Sequence, residues 1–315
     1  MMEKYENSSN IAIILGFYNG GQYLREQLES IICQTHKEFQ IFIFDDCSCK
    51  KSIDSELELF IKKNSNISIV RRESNIGYAK NFLYGLKDVG PNFDFYAFSD
   101  QDDIWEKNKL ENSLKKIKAF NPPSSILYCS RTSYFKNDSH IEIGSSKVFK
   151  KKPQFKNALL QNIAGGNTIL MNKKARNLMI NALVSDRYIS HDWWCYLLIS
   201  ASGGDIIFDN LKLVKYRQHE KNIIGGNRKF NDKIRRFIKF FKGNFKEWND
   251  INISNLMKNK KLLKKENLTI LKLFIDARNK KNIFLKLLLF KKSGVFRQSF
   301  FENIIFTLGI ILNKI

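Results

Sequence analysis

The sequence predicts an α/β protein with a mostly parallel central sheet flanked by helices, followed by a basic α-helical C-terminal region. Three observations carry this. Short apolar runs rich in β-branched residues alternate with amphipathic stretches through the first hundred residues. Acidic pairs stand at the carboxyl ends of two of those runs. Near residue 226 the composition turns to Lys, Asn, Leu and Phe, without the turn chemistry of a sheet domain. Strands and helices that alternate at short spacing imply parallel strands joined by crossover helices.

The elements follow in order. Ile11–Leu15, "IAIIL", is a continuous apolar run between Asn10 and Gly16 and reads as a buried strand. "YNGG" (18–21) is a turn. Leu24, Leu28, Ile31 and Ile32 share one face of a helix from Gln22 to Gln34. Phe39–Phe44 is a second buried strand running into Asp45-Asp46. A helix is expected around 52–63, a strand at Ile67–Val70, a turn at 75–77, a helix over 78–88 and a strand at Phe93–Phe98. Beyond the acidic cluster the pattern predicts strands at Ser125–Cys129 and Asn167–Met171 and a hairpin or loop at 140–149. A helix over 191–200 has Asp192 in its first turn, and short strands follow at Ile206–Phe208 and Leu211–Tyr216. The expected domains are 1–226 and 227–315.

With 43% hydrophobic and 13% aromatic residues in 315, the chain can bury a sizeable core and is not disordered by composition. The polar opening "MMEKYENSSN" shows no signal peptide and suits a cytoplasmic protein. Five cysteines without metal-ligand spacing read as reduced thiols. The formal net charge is +22, of which residues 221–315 carry +17, from 23 Lys+Arg and 6 Asp+Glu. Any electrostatic partner is therefore expected at the C-terminal third.

Against that charge, "FSDQDDIW" (98–105) packs three carboxylates into four residues. Like charges so close repel, and something positive must offset them. An Asp-x-Asp at a strand end can offer oxygens to Mg²⁺ or Mn²⁺, with substrate phosphate completing the shell. A solvated acidic turn capping the next helix gives the same spacing. In a parallel sheet ligands bind at the carboxyl ends of strands, where Asp45-Asp46 and Asp100-Asp102-Asp103 both fall. The first turn is "GFYNGG", not GxGxxG, which disfavours a dehydrogenase.

Taken together, "YNGGQYL", "FDDCS", "NIGYAKNF" and "FSDQDDIW" resemble the nucleotide-sugar-binding half of glycosyltransferase family 2, the inverting GT-A enzymes. "YAFSDQDDIWEKNKLE" is similar to the rhamnosyltransferase-like branch. "GGNTILMN" (165–172), "HDWW" (191–194) and "VKYRQHEKNIIGG" (214–226) extend the likeness over roughly 10–226. The resemblance implies a GT-A fold and a metal-dependent inverting transfer from a nucleoside diphosphate sugar, dTDP-rhamnose first, to a glycan. A UDP-hexose or UDP-N-acetylhexosamine is the alternative donor. Asp46 or Asp45 would bind base and ribose, with Phe17, Tyr18 and Asn19 near the base. Asn75, Gly77 and Lys80 would line the nucleotide cleft. Asp100 and Asp102 would hold Mn²⁺ or Mg²⁺ and the diphosphate, Asp102 as direct ligand, while Asp103 would cap a helix holding Trp105. Asp192 would be the catalytic base, although a carboxylate favoured by the helix dipole reads the same. Arg217 and His219 would close over the diphosphate, His219 as phosphate or metal contact. "DDCSCK" departs from the family's usual continuation and weakens only the ribose assignment.

In the basic third, Ile234–Phe241 interleaves basic and aromatic residues, and 282–292 and 300–315 are apolar but too short to span a bilayer. They suit helices on an anionic membrane surface, where a polyprenyl-diphosphate-linked acceptor resides. Packing on the catalytic domain is the competing reading. No nucleic-acid motif appears.

Overall fold

The computed structural model describes residues 9–120, 124–136, 141–183, 185–218 and 244–315, and the elements are numbered through these. The strands are β1 (Ile11–Phe17), β2 (Phe39–Asp45), β3 (Ile67–Arg71), β4 (Phe95–Ser99), β5 (Ile104–Trp105), β6 (Ile126–Lys136), β7 (Glu142–Ser145), β8 (Leu170–Asn172) and β9 (Asp205–Gln218). They form one sheet in the order β3-β2-β1-β4-β8-β6-β9-β5, with β7 beside β6. The β3-β2-β1-β4 half is parallel. β8 then pairs antiparallel with both β4 and β6, and β6 pairs parallel with β9. Because β2 and β4 lie on opposite sides of β1, the winding reverses there, and a crevice opens at the carboxyl ends of β1 and β4.

β1 shows why this sheet is buried on both faces. Ile11, Ile13, Leu15 and Phe17 point into one apolar cluster, Ala12 and Ile14 into the other. Two-residue alternation with both sets apolar is the mark of a covered parallel strand. Helices α1 (Gly21–Ile32), α2 (Ser55–Lys63) and α4 (Lys109–Lys118) cover the first face through Leu24, Leu28, Ile31, Leu57, Ile61, Leu110 and Leu114. Each fully buried Leu or Ile contributes about 1.5–3 kcal/mol, so α1 is held by its periodic face. Helices α3 (Tyr78–Asp88), α5 (Phe155–Ala158), α6 (Lys173–Asn181) and α7 (His191–Ala201) cover the second face.

The basic C-terminal region continues that second layer. Its helices are α8 (Asn244–Lys258), α9 (Lys265–Asn279), α10 (Ile283–Ser293) and α11 (Phe300–Ile311). Phe245, Leu256, Leu271, Phe274, Phe306 and Ile310 share one buried cluster with Trp193 and Trp194 of α7. These helices therefore pack on the sheet domain. No helix among the described residues is long and apolar enough to cross a membrane. The expected boundary near 226, the run 234–241 and His219 lie outside the described residues.

Several local expectations are corrected. The strands expected at 206–208 and 211–216 are one strand, β9, whose register against β6 shifts between Ser130 and Thr132; the polar Asp209-Asn210 at that point made the sequence read as two. Residues Gly166–Thr168 form a 3-10 turn, so β8 is shorter than the strand expected from Asn167. Trp105 lies in β5 and not in a helix, so Asp103 caps none; it is buried instead. All five cysteines are free.

Candidate active site

The crevice between β1 and β4 is tied across its floor by Gln101. Its side-chain Oε1 accepts from the Tyr18 N–H at 2.8 Å, and its Nε2 donates to the Tyr18 carbonyl at 3.2 Å. A Cβ at Gly20 would stand 2.1 Å from Gln101 Nε2, so this approach requires glycine there. Asn19 braces the same rim: its N–H donates to Ser48 Oγ, and its Oδ1 accepts from the Cys49 N–H and Ser52 Oγ. Tyr18 is 50% exposed at the cleft edge, whereas the Phe17 ring is in the core and withdrawn from any ligand.

The acidic pair after β2 is buried and engaged. Asp45 accepts from the Ser48 N–H at 2.8 Å and from Arg71 Nε at 2.9 Å. Asp46 accepts from the backbone N–H groups of Ile76 and Gly77 at 2.8 and 2.9 Å. Asn75 Nδ2 donates to the Asp46 carbonyl at 3.1 Å. Together these bonds fix the loop that begins α3. Lys80, in the first turn of α3, is half-buried and makes no ion pair among the described residues. It lines a cavity of about 320 Å³ with Gly77, Tyr78, Asp186, Arg187 and Ile189.

The cluster after β4 behaves differently. Asp100 and Asp102, just past the carboxyl end of β4, are half-buried. Burial, with the Asp102 and Asp192 charges, pushes the Asp100 carboxyl up to about 7. Burial and the charges of Asp192 and Asp100 likewise raise Tyr78 to about 12. Asp100, Asp102, Asp192 and Tyr78 thus share one electrostatic neighbourhood. Asp192 stands in the first turn of α7, which Ser190 caps; its Oδ1 accepts from the Trp193 N–H at 2.7 Å. Gly166 makes room beside it, since a Cβ there would lie 2.5 Å from His191 Nε2 and 3.5 Å from Asp192 Cβ.

The positive counterpart lies underneath. Arg217, 2% exposed, donates its backbone N–H to Asp103 Oδ1 and its Nε to the Asp102 carbonyl at 2.9 Å. Its guanidinium pairs with Glu26 and is flanked by the rings of Tyr23 and Phe135. Arg217, expected as a diphosphate contact, is thereby committed to holding the acidic loop. Asp103 also accepts from Asn167 Nδ2. Burial and the neighbouring carboxylates hold Asp103 well above the usual carboxylate range. Lys109 is wholly buried with its Nζ 3.6 Å from the Trp105 ring centre, and burial lowers its ammonium to about 7 despite the Asp103 charge.

Among the described residues no group of three or more His, Cys, Asp or Glu side chains forms a metal cage. The donor set does fit a hard divalent cation of another kind. Mg²⁺ commonly takes one or two carboxylates and completes its shell with substrate phosphates and water. Asp100 and Asp102 supply such oxygens, and a cation there would offset the carboxylate charge that, with burial, raises Asp100.

Gln101, Asn167, Glu26, Tyr78 and Lys109 were not singled out from sequence as site residues. Gln101 and Asn167 sit inside the motifs that were. Lys109 had no signal, because lysine is ordinarily exposed.

The glycosyl transferase family 2 model matches residues 12–178. A dTDP-rhamnosyl transferase of Shigella flexneri, RfbG, is 31% identical over 228 residues, which cover 70% of this chain and 76% of that one. An uncharacterized glycosyltransferase of Rickettsia typhi (strain Wilmington) is 25% identical over 235 residues, covering 70% and 67%. Among solved structures, S. aureus TarS 1-349 in complex with UDP-GlcNAc matches with a TM-score of 0.57 at 16% identity, covering 90% of this chain and 81% of that one. At that identity the likeness shows the fold alone, which is GT-A-like.

Proposed function

The chain belongs to glycosyl transferase family 2, and on that premise we propose that it is a metal-dependent inverting enzyme moving a sugar from a nucleoside diphosphate to a glycan. The observation that supports this is that Asp100, Asp102 and Asp192 share one electrostatic neighbourhood at the end of β4, where burial, with the charges of Asp102 and Asp192, raises Asp100. Asp102, with Asp100, would hold Mn²⁺ or Mg²⁺ beside the diphosphate. Bound there, the ion supplies Lewis-acid charge to the leaving diphosphate. Lys80, unpaired at the cavity edge, adds a mobile positive charge for the phosphates. Tyr18 offers an exposed ring to the base, while Asp45, Asp46, Asn75 and Gly77 keep the cleft wall in shape. Asp192 would take the proton of the acceptor hydroxyl as it attacks the anomeric carbon from the face opposite the diphosphate. One displacement inverts that carbon, and no covalent sugar–enzyme intermediate is needed.

For the donor we favour dTDP-rhamnose, supported by the similarity to RfbG. UDP-hexose or UDP-N-acetylhexosamine is second, supported only by the fold shared with a UDP-GlcNAc complex. The proposed setting is bacterial surface polysaccharide, O-antigen or capsule. The acceptor would be carried on a polyprenyl diphosphate at the cytoplasmic face of the membrane, with the protein bound peripherally. A non-catalytic binding protein on the same fold has no need of three carboxylates in one electrostatic neighbourhood. Titration calorimetry with dTDP-rhamnose, UDP-glucose and UDP-GlcNAc, with and without Mn²⁺, tests the reading; NMR of the product bond then reads inversion. Metal-independent binding, or a retained anomeric configuration, would overturn it.

A further inference from the structure

The molecule's exposed large apolar side chains are not scattered. Nineteen occur among the described residues, and nine of them fall between Ile283 and Leu312, in α10 and α11. Single exposed apolar residues are ordinary; a concentration on two neighbouring helices marks an interaction surface.

Helix α11 is apolar on both sides. It buries Phe306, Gly309 and Ile310 against the core. On its other side Phe301, Ile304, Leu308 and Leu312 recur at helical spacing and remain exposed, Phe301 to 75%. Helix α10 adds Phe284, also 75% exposed, and Leu288 one turn on. A helix apolar all round needs a second apolar neighbour.

Charge selects the neighbour. Residues 280–315 hold seven Lys+Arg and one acidic residue, Glu302. Glu302 is already bound by Arg297 and Lys147. Lys280 and Lys281 before α10, and Lys291 and Lys292 in its last turn, are exposed and make no ion pair among the described residues. A second copy of the chain would bring the same positive surface and be repelled. An anionic bilayer offers both what the phenylalanines lack and what the lysines attract.

We propose that α10 and α11 are the membrane-docking surface, seating Phe284 and Phe301 in the acyl boundary of an anionic bilayer while the flanking lysines hold its headgroups. This rests on the peripheral location proposed above and assigns it to particular side chains. The surface is tied to the transfer site by packing. Arg297 donates to the Leu160 carbonyl and Gln298 N–H to Gln161 Oε1, just upstream of the Gly165–Gly166 turn that adjoins Asp192. A bilayer bound at α10–α11 is thus held by the same rigid layer that carries the base.

The test is sedimentation of the full chain with phosphatidylcholine vesicles, with and without phosphatidylglycerol. The wild type is expected to bind the anionic vesicles at least about tenfold more tightly than the neutral ones. Phe284→Ser with Phe301→Ser should weaken binding about tenfold on the anionic vesicles while melting temperature holds, since both rings are exposed. Lys280, Lys281, Lys291 and Lys292 all changed to Gln should abolish the preference for anionic lipid. Equal binding of wild type and phenylalanine variant overturns the assignment. So does a wild-type dimer, seen by light scattering, that the phenylalanine variant converts to monomer without any vesicle binding. Vesicle binding without sugar transfer leaves this inference standing and defeats the transferase reading; transfer to a soluble acceptor without vesicle binding does the reverse.

Discussion

Two acidic turns flank β1, and their carboxylates have opposite fates. After β2, Asp45 and Asp46 are buried and bonded to Arg71 and to the N–H groups of Ser48, Ile76 and Gly77. After β4, Asp100 and Asp102 share an electrostatic neighbourhood with Asp192, and burial, with those charges, raises Asp100 to about 7. A buried carboxylate that accepts backbone N–H bonds is part of the scaffold. Carboxylates set against one another are held at an energetic cost, offset when a cation arrives. On the proposed reading, the first turn gives the cleft its shape and the second gives it chemistry. Substitutions that keep shape and remove charge should separate the two.

The largest effect is expected at Asp192. Asp192→Asn should lower transfer by about 10³-fold, within the range of a lost general base. Donor affinity should stay near wild type, because the base acts on the acceptor and not on the nucleotide. Calorimetry beside steady-state transfer reads both. A parallel fall in donor affinity would make Asp192 a binding residue and join it to the scaffold side of the comparison.

Asp102→Asn comes next, with an expected loss of about 100-fold or more in turnover, the scale of one main electrostatic stabiliser. Its unfolding midpoint should hold or rise, since one of the repelling charges is gone. Removing metal from the wild type with a chelator, and restoring Mn²⁺, should reproduce and reverse the loss. Full activity in this variant would remove the metal assignment.

Asp46→Asn should invert that pattern. The amide keeps one acceptor but turns an N–H₂ toward the second backbone donor; Gly77 N–H also reaches Asn75 Oδ1, so the donor at risk is the half-buried Ile76 N–H. A stability loss of about 1 kcal/mol is expected from that lost bond. Urea unfolding measures it. Activity per folded molecule should fall far less than in Asp102→Asn, and a catalytic collapse without destabilisation would show that Asp46 touches the donor directly.

The sequence made the first half of this contrast hard to see and the second half easy. Buried parallel strands read as unbroken apolar runs, so β1, β2 and β4 and the acidic residues at their ends were legible. What takes up Asp46 is the backbone of a loop 30 residues further on, and no spacing rule points to it. Arg217 was picked out as a charge near the site, but its burial between Tyr23 and Phe135 depends on α1 and β6 meeting β9. β5 escaped notice because two residues carry no periodicity, and with it went the placement of Asp103. The packing of α8, α9 and α11 was an open alternative, because an apolar helical face looks the same whether protein or lipid covers it.

The smallest effect on transfer is expected at the buried His191. Its ring is stacked on Phe82 with centres 4.0 Å apart and lies edge-on to Phe98 and Tyr78. Neither ring nitrogen has a hydrogen-bond partner. Burial lowers it to about 4, only partly countered by Asp192. Between pH 6.5 and 4 the unfolded chain therefore binds a proton that the folded one refuses, and stability falls as pH falls through that window. A shift of this size amounts to roughly 3 kcal/mol by pH 4. His191→Leu removes the term. At pH 7.5 its unfolding free energy should match the wild type within about 1 kcal/mol, because replacing an unpaired polar group by an apolar one is nearly neutral. At pH 4 the variant should be the more stable protein. Asp100 titrates in the same window with the opposite sign, but it is present in both proteins and drops out of the difference. Transfer at pH 7.5 should change less than about twofold if the ring only packs. A large loss of transfer with stability intact would place His191 among the reacting groups, and the division between groups that shape the cleft and groups that serve it would have to be redrawn at α7.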